Sequence, residues 1–179
     1  VNIIQPNYPP PNNPLTPRSA SDITDLVIHH SDGPVDQTPL EIDTEERNTT
    51  TQTPYSMIPY EYLIDSKGNV YKGRPDLFES GASFGRNPMS VAVCCIGGFQ
   101  EGDGYTGPPS DAMLNSLLEL CIYLHRLYPT IERTYAHRDI APMFYPNDEG
   151  DYSTACCGNV LYEHLPDLKS KIAAALHNT

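Results

Sequence analysis

The sequence predicts an α/β fold: a single domain with a central mixed β-sheet flanked by helices and a Pro-rich extended N-terminal arm. Three observations carry that reading. Strand-like and helix-like stretches alternate along the chain, no unit of about 20 to 50 residues recurs, and 179 residues is the length of one domain able to bury a substantial core.

Residues 1–21 read as the arm or linker. Pro6, Pro9, Pro10, Pro11, Pro14 and Pro17 favour polyproline-like backbone, with too little periodic apolarity to fold alone. No basic-then-apolar leader opens the chain as given, so no signal peptide is visible. The folded unit is 22–179. Its first strand is the apolar run Ile23 to Ile28, which delivers His29 and His30 to a turn at Ser31-Asp32-Gly33-Pro34. Thr38 as N-cap, Pro39 behind it and Glu41 in the first turn start a helix that runs to about Arg47. The Thr-rich stretch Asn48 to Thr53 is a loop. Tyr60 to Asp65 and Val70 to Arg74, around a turn containing Gly68, form a hairpin. Ser90 to Ile96 is apolar throughout, as in a strand buried on both faces, and closes at Gly97-Gly98.

Behind Ser110, the residues Met113, Leu114, Leu117, Leu118, Cys121, Leu124 and Leu127 recur at helical spacing until Pro129. Thr134 to Ala136 is a short strand leading into His137. Residues 141–153 read as an irregular loop with an acidic run at Asp148 to Asp151, and 161–176 as helix broken near Pro166.

Eleven Lys plus Arg against 23 Asp plus Glu give a net charge of -12, with no basic cluster. Nucleic acid and anionic membrane surfaces, which require concentrated positive charge, are excluded as partners. No apolar run reaches the length of about 18 residues that a membrane span needs, and a monomer is expected.

Five cysteines, Cys94-Cys95, Cys121 and Cys156-Cys157, make a poor disulfide framework and point to metal or catalytic use of at least one thiol. Cys121, Cys94 and Cys95 lie in core patterns and read as small buried hydrophobes. Of the six histidines, His125, His164 and His177 sit in helical or tail positions and read as ordinary side chains. His29 and His137 stand at strand ends, where a sheet holds imidazoles in fixed orientation. Two imidazoles and one thiolate suit tetrahedral Zn²⁺ and leave a fourth position for water, the catalytic type of zinc site.

Five blocks occur in order: Leu26 to Ser31; Pro59 to Asp65 with Gly68, Val70-Tyr71 and Gly73-Arg74; Asn87 with Ser90 to Val93 and Gly97-Gly98-Phe99; Ala136 to Pro142; and Thr154-Ala155-Cys156 with Gly158. Together they resemble the zinc-dependent N-acetylmuramoyl-L-alanine amidase family, type 2, which includes phage lysozyme-like amidases and the peptidoglycan recognition proteins. The resemblance covers about residues 22 to 175. It implies one catalytic zinc on His29, His137 and Cys156, an active-site tyrosine at Tyr60, and a threonine, Thr154, at a position that is lysine in phage enzymes. It places His30 on the opposite strand face.

The function so implied is hydrolysis of the amide between N-acetylmuramic acid and L-alanine in bacterial peptidoglycan or muropeptides, an endolysin-like activity on the cell wall. Water activated by zinc is the nucleophile, with Tyr60 and Thr154 assisting the oxyanion or the departing amine. A non-catalytic peptidoglycan-binding domain of the same fold, and a metal-free cysteine peptidase using Cys156 and His137, are the alternatives. The sequence departs from the family in four places. Cys157 follows the ligand cysteine where proline is usual. The segment from His137 to Cys156 is longer, so Cys157 or Asp151 competes as third ligand. Ser83 replaces a histidine, and Val93 to Ile96 carries no glutamate base. With a charge of -12, wall engagement must come from groove contacts or from the arm.

Overall fold

The computed structural model describes residues 1–177, so the last two positions of the 22–179 unit lie outside the described residues. Six strands form one mixed sheet: β1 (Ile3–Ile4), β2 (Asp25–His30), β3 (Tyr62–Ile64), β4 (Val70–Lys72), β5 (Ser90–Cys95) and β6 (Arg133–Ala136). Their spatial order is β1-β4-β3-β5-β2-β6. Only the β3–β4 hairpin is antiparallel; β2 pairs in parallel with β5 on one side and β6 on the other. Every residue of β2 and β5 is buried, which explains their unbroken apolar runs: central parallel strands are covered on both faces.

Alternation along the central strands sorts side chains between two cores. Leu26, Ile28, Val91, Val93 and Cys95 face α2 (Asp111–Leu127) and α6 (Leu165–His177), whose Met113, Leu117, Leu120, Cys121, Leu168 and Ile172 complete that layer. On the other face Ala92, Cys94 and Leu63 pack with Ile58 and with Ile42 of α1 (Pro39–Asn48). The caps are those the sequence signals. Thr38 and Glu41 form a capping box on α1, and Ser110 Oγ accepts from the Met113 amide at 3.1 Å.

Four expectations change. The hairpin strands are shorter, and Tyr60 precedes β3 instead of belonging to it. Residues 141–153 are not wholly irregular, because α3 (Ile140–Phe144) and α4 (Glu149–Tyr152) interrupt them. The break in the last helical region precedes Pro166: α5 (Asn159–Tyr162) ends ahead of it, and Pro166 sits in the first turn of α6, where its missing N–H costs nothing. The arm is extended, but it is laid along the domain and is not a free linker. β1 pairs with β4, Pro17 bridges Phe78, and Arg47 of α1 donates to the carbonyls of Pro9 and Pro10 at 3.0 and 2.9 Å. Arg18 reaches inward to the carbonyls of Asp76 and Ser90 at 2.8 and 2.5 Å.

Candidate metal centre

Parallel pairing brings the C-terminal ends of β2 and β6 side by side, with Ile28 opposite Ala136. His29 is therefore carried on β2 and His137 begins the short turn after β6. Their rings are 4.7 Å apart between centroids, at 54°. Cys156 comes from the loop before α5, and its Sγ lies 3.6 Å from His29 Nδ1. One ligand atom each from His29, His137 and Cys156 falls within 4.8 Å of the others. Among the described residues, this is the one group of three His, Cys, Asp or Glu side chains close enough to hold a metal.

The rival thiol and carboxylate stand elsewhere. Cys157 is fully buried in the α2–α6 core, and Asp151 is exposed on α4. The donor set fits zinc. A nitrogen at about 2.0 Å and a sulfur at about 2.3 Å on a tetrahedral ion are separated by about 3.5 Å, close to the Nδ1–Sγ spacing here. With Nδ1 facing the thiol, the proton of His29 belongs on Nε2, where Ser83 Oγ lies at 3.2 Å as acceptor. Ser83 thus takes up an orienting contact.

Burial is the first cause of every shift at the centre. It holds His29 well below the usual histidine value, with the neighbouring imidazoles of His137 and His30 adding to the effect, and lowers His137 to about 4. Both rings are neutral and ligand-competent at pH 7. It pushes the Cys156 thiol up, opposed by a hydrogen bond from the His30 amide to Sγ at 3.4 Å. His30 itself turns to the opposite face, where Nδ1 accepts from the Phe99 amide at 3.1 Å.

Above the three donors opens a cavity of about 570 Å³ lined by Tyr60 and Thr154 together with Glu46, Gln52 and Tyr55. The Tyr60 ring is 5.4 Å from that of His29. Burial, with Cys94 and Cys156 nearby, raises its phenol well above the ordinary value, so it remains a proton-bearing donor. Thr154 Oγ1 accepts from the Cys156 amide at 3.2 Å, a contact that does not use its hydroxyl proton, and the residue lines the cavity. Glu46 escaped the sequence reading. It belongs to an acidic pair near the end of α1, and burial, then Glu45, raises its carboxyl. Nothing in the sequence separates it from Glu45.

A mixed sheet that presents two imidazoles and a thiol at the C-terminal edge of its parallel strands, beneath an open cleft with a buried tyrosine, defines an α/β protein with a side-chain group able to hold a metal. The sequence profile of the N-acetylmuramoyl-L-alanine amidases matches residues 19–158. The chain belongs to that family. It is 30% identical over 91 residues to an endolysin of Enterobacteria phage T3, an alignment covering 50% of this chain and 59% of that protein. The amidase LysC from Clostridium intestinale superimposes with a TM-score of 0.75 at 25% identity, covering 97% of this chain and 98% of its own. A drosophila peptidoglycan recognition protein, PGRP-SD, shares the fold at a TM-score of 0.70 and 21% identity, covering 88% and 86%.

Proposed function

We propose that the protein is a zinc-dependent amidase that hydrolyses the bond between N-acetylmuramic acid and L-alanine in peptidoglycan. The observation that carries this reading is the convergence of His29, His137 and Cys156 within 4.8 Å under a cleft that also holds Tyr60 and Thr154. His29, His137 and Cys156 would hold the zinc, and when bound it would supply a Lewis acid for the scissile carbonyl and a water of pKa about 7.

The chain's own groups do the rest. Ser83 Oγ, 3.2 Å from His29 Nε2, steadies the ring with Nδ1 turned toward Cys156. Tyr60 donates a hydrogen bond to the oxygen on which negative charge develops, in a site whose buried walls strengthen that bond. Thr154 offers its free hydroxyl proton on the same side, toward the oxyanion or, through a water, the departing amine. A metal-free cysteine peptidase is disfavoured, since a nucleophilic thiol has a depressed pKa and that of Cys156 is raised. Digestion of purified sacculi with and without chelator, followed by mass analysis, tests the proposal. Free N-terminal L-alanine on released peptides, abolished by chelator and restored by zinc, is expected; cleavage that survives chelation overturns it.

A further inference from the structure

Three aromatic rings are stacked beside the cleft. Tyr145 and Tyr152 lie face to face, 3.8 Å between centroids and 6° from parallel, and Phe84 continues the stack at 5.2 Å and 21°. The arrangement is fixed from beneath. The Tyr145 hydroxyl donates to the Gly85 carbonyl at 2.8 Å. Gly85 adopts φ 84°, and a Cβ there would come within 2.8 Å of both tyrosine rings, so only glycine admits them this close. Phe84, by contrast, is 62% exposed. A large exposed apolar ring backed by Tyr152, which is itself stacked on Tyr145, offers a flat surface at little ordering cost.

The outer ring, Phe84, and the middle ring, Tyr152, are each close in sequence to residues at the candidate metal centre. Phe84 follows Ser83, whose hydroxyl touches His29, and Tyr152 lies two residues before Thr154. Phe84 also lines a second cavity of about 540 Å³ with Ser80, Asn87 and Thr53, and Gln52 and Tyr55 line both this cavity and the catalytic one. The two therefore adjoin across Gln52 and Tyr55, and the second has amide and hydroxyl groups around an exposed aromatic face. Sugars carry matching chemistry: an apolar C–H face and an edge of hydroxyl and acetamido groups. A protein of net charge -12 has no general electrostatic hold on an anionic wall polymer, so shaped contacts must supply it.

We propose that Phe84, backed by Tyr152 and Tyr145, is a glycan-binding platform that stacks a saccharide ring of the peptidoglycan strand neighbouring the muramic acid in the cleft. The proposal rests on the amidase reading and adds a preference for polymeric glycan over isolated muropeptides. The second tyrosine pair member and Tyr145 itself come from the 141–153 segment, so the platform is a product of this chain's longer connection between His137 and Cys156.

The test has a binding arm and a kinetic arm, both on the zinc-loaded full chain. Peptide-free glycan strands of alternating N-acetylglucosamine and N-acetylmuramic acid are titrated into wild type, Phe84→Ala, Phe84→Trp and Tyr152→Ala. Phe84→Ala is expected to weaken binding about fivefold and Phe84→Trp to restore it, in line with the strength of single aromatic stacking contacts. On intact sacculi, Phe84→Ala raises the apparent KM, while turnover of an N-acetylmuramoyl dipeptide is unchanged. No glycan binding by wild type, equal binding by Phe84→Ala, or an equal loss on both substrates overturns the platform. If wild type cleaves neither substrate, the amidase reading fails while the glycan titration still decides the platform.

Discussion

His29 Nδ1 and Cys156 Sγ stand 3.6 Å apart although 127 positions separate them in the chain. The contact joins the end of β2 to the loop ahead of α5, and each partner has its own anchor: Ser83 for the imidazole, the His30 amide for the thiol. Replacing His29, His137 or Cys156 by Ala is expected to weaken zinc binding by at least about 100-fold and to abolish activity with it. Cys157→Ala keeps one zinc and loses about 1 kcal/mol of stability from the core. Metal analysis of purified variants decides: a full zinc complement in Cys156→Ala hands the third ligand to Cys157 or Asp151.

Zinc uptake should release about one proton per ion at pH 6, below the value of about 7 expected of a zinc-bound water. Burial keeps His29 and His137 neutral there, the latter with a value of about 4, whereas the Cys156 thiol, pushed up by burial, still holds its proton. Affinity then climbs about tenfold per pH unit up to neutrality and more steeply above it, where the bound water ionises as well. In the metal-free protein the depressed histidine works in the opposite range. The stability contributed by neutral His137 is complete above 6.5 and is lost as pH falls through about 4. Calorimetry in buffers of different ionisation heat counts the protons, and a count of two at pH 6 would show a histidine charged before zinc arrives.

Tyr60→Phe should retain zinc and lower kcat by about 100-fold, the usual cost of one oxyanion donor. Thr154→Val should cost less, about tenfold, because its hydroxyl also braces the Cys156 amide and only its proton is left to donate. Steady-state kinetics on a muropeptide reads both. A Tyr60→Phe rate equal to wild type removes the phenol from the mechanism.

The arm is predicted to contribute stability through one buried contact. Arg18 Nη2 is 3.6 Å from Glu61 Oε1, both side chains being buried, while Glu61 Oε2 accepts from the Ala92 amide at 2.7 Å. Burial raises Glu61 to about 7, opposed first by Arg18. Arg18→Ala should cost about 3 kcal/mol, since it strands a buried carboxylate. The sign of the pH effect follows: with its folded value raised above the ordinary 4.5, Glu61 contributes most below 4.5 and loses that contribution as pH rises through about 7. The Arg18→Ala deficit therefore grows between pH 5 and pH 8, and adding Glu61→Gln flattens it. Urea unfolding with a deficit equal at both pH values would refute the contact's role.

The central strands and α2 were legible because their signals are local: β2 and β5 carry the apolar runs Leu26 to Ile28 and Val91 to Cys95, and α2 repeats at helical spacing up to Pro129. His29 and His137 stood out for the same reason, being polar residues directly after apolar strands. The short helices α3 and α4 were not legible, since segments of four or five residues depend on tertiary contacts more than on propensity. Phe84 could not be distinguished from any surface aromatic until Tyr145 and Tyr152 were placed against Gly85. Arg18 gave no hint of its inward course, because its partners lie on β5, just ahead of β3 and just after β4, far along the chain.

All six described strands precede residue 137, yet the third side chain of the candidate metal group is Cys156. A chain leaving the ribosome can thus pair the whole sheet, with both histidines side by side, while the thiol is still inside the translation machinery. At synthesis rates of about 5 to 20 residues per second, the interval from Ala136 to Cys156 lasts about one to four seconds. Order of emergence would hold the group at two donors until its strands are out, so that a metal bound by all three would arrive after strand pairing and alongside the docking of α6.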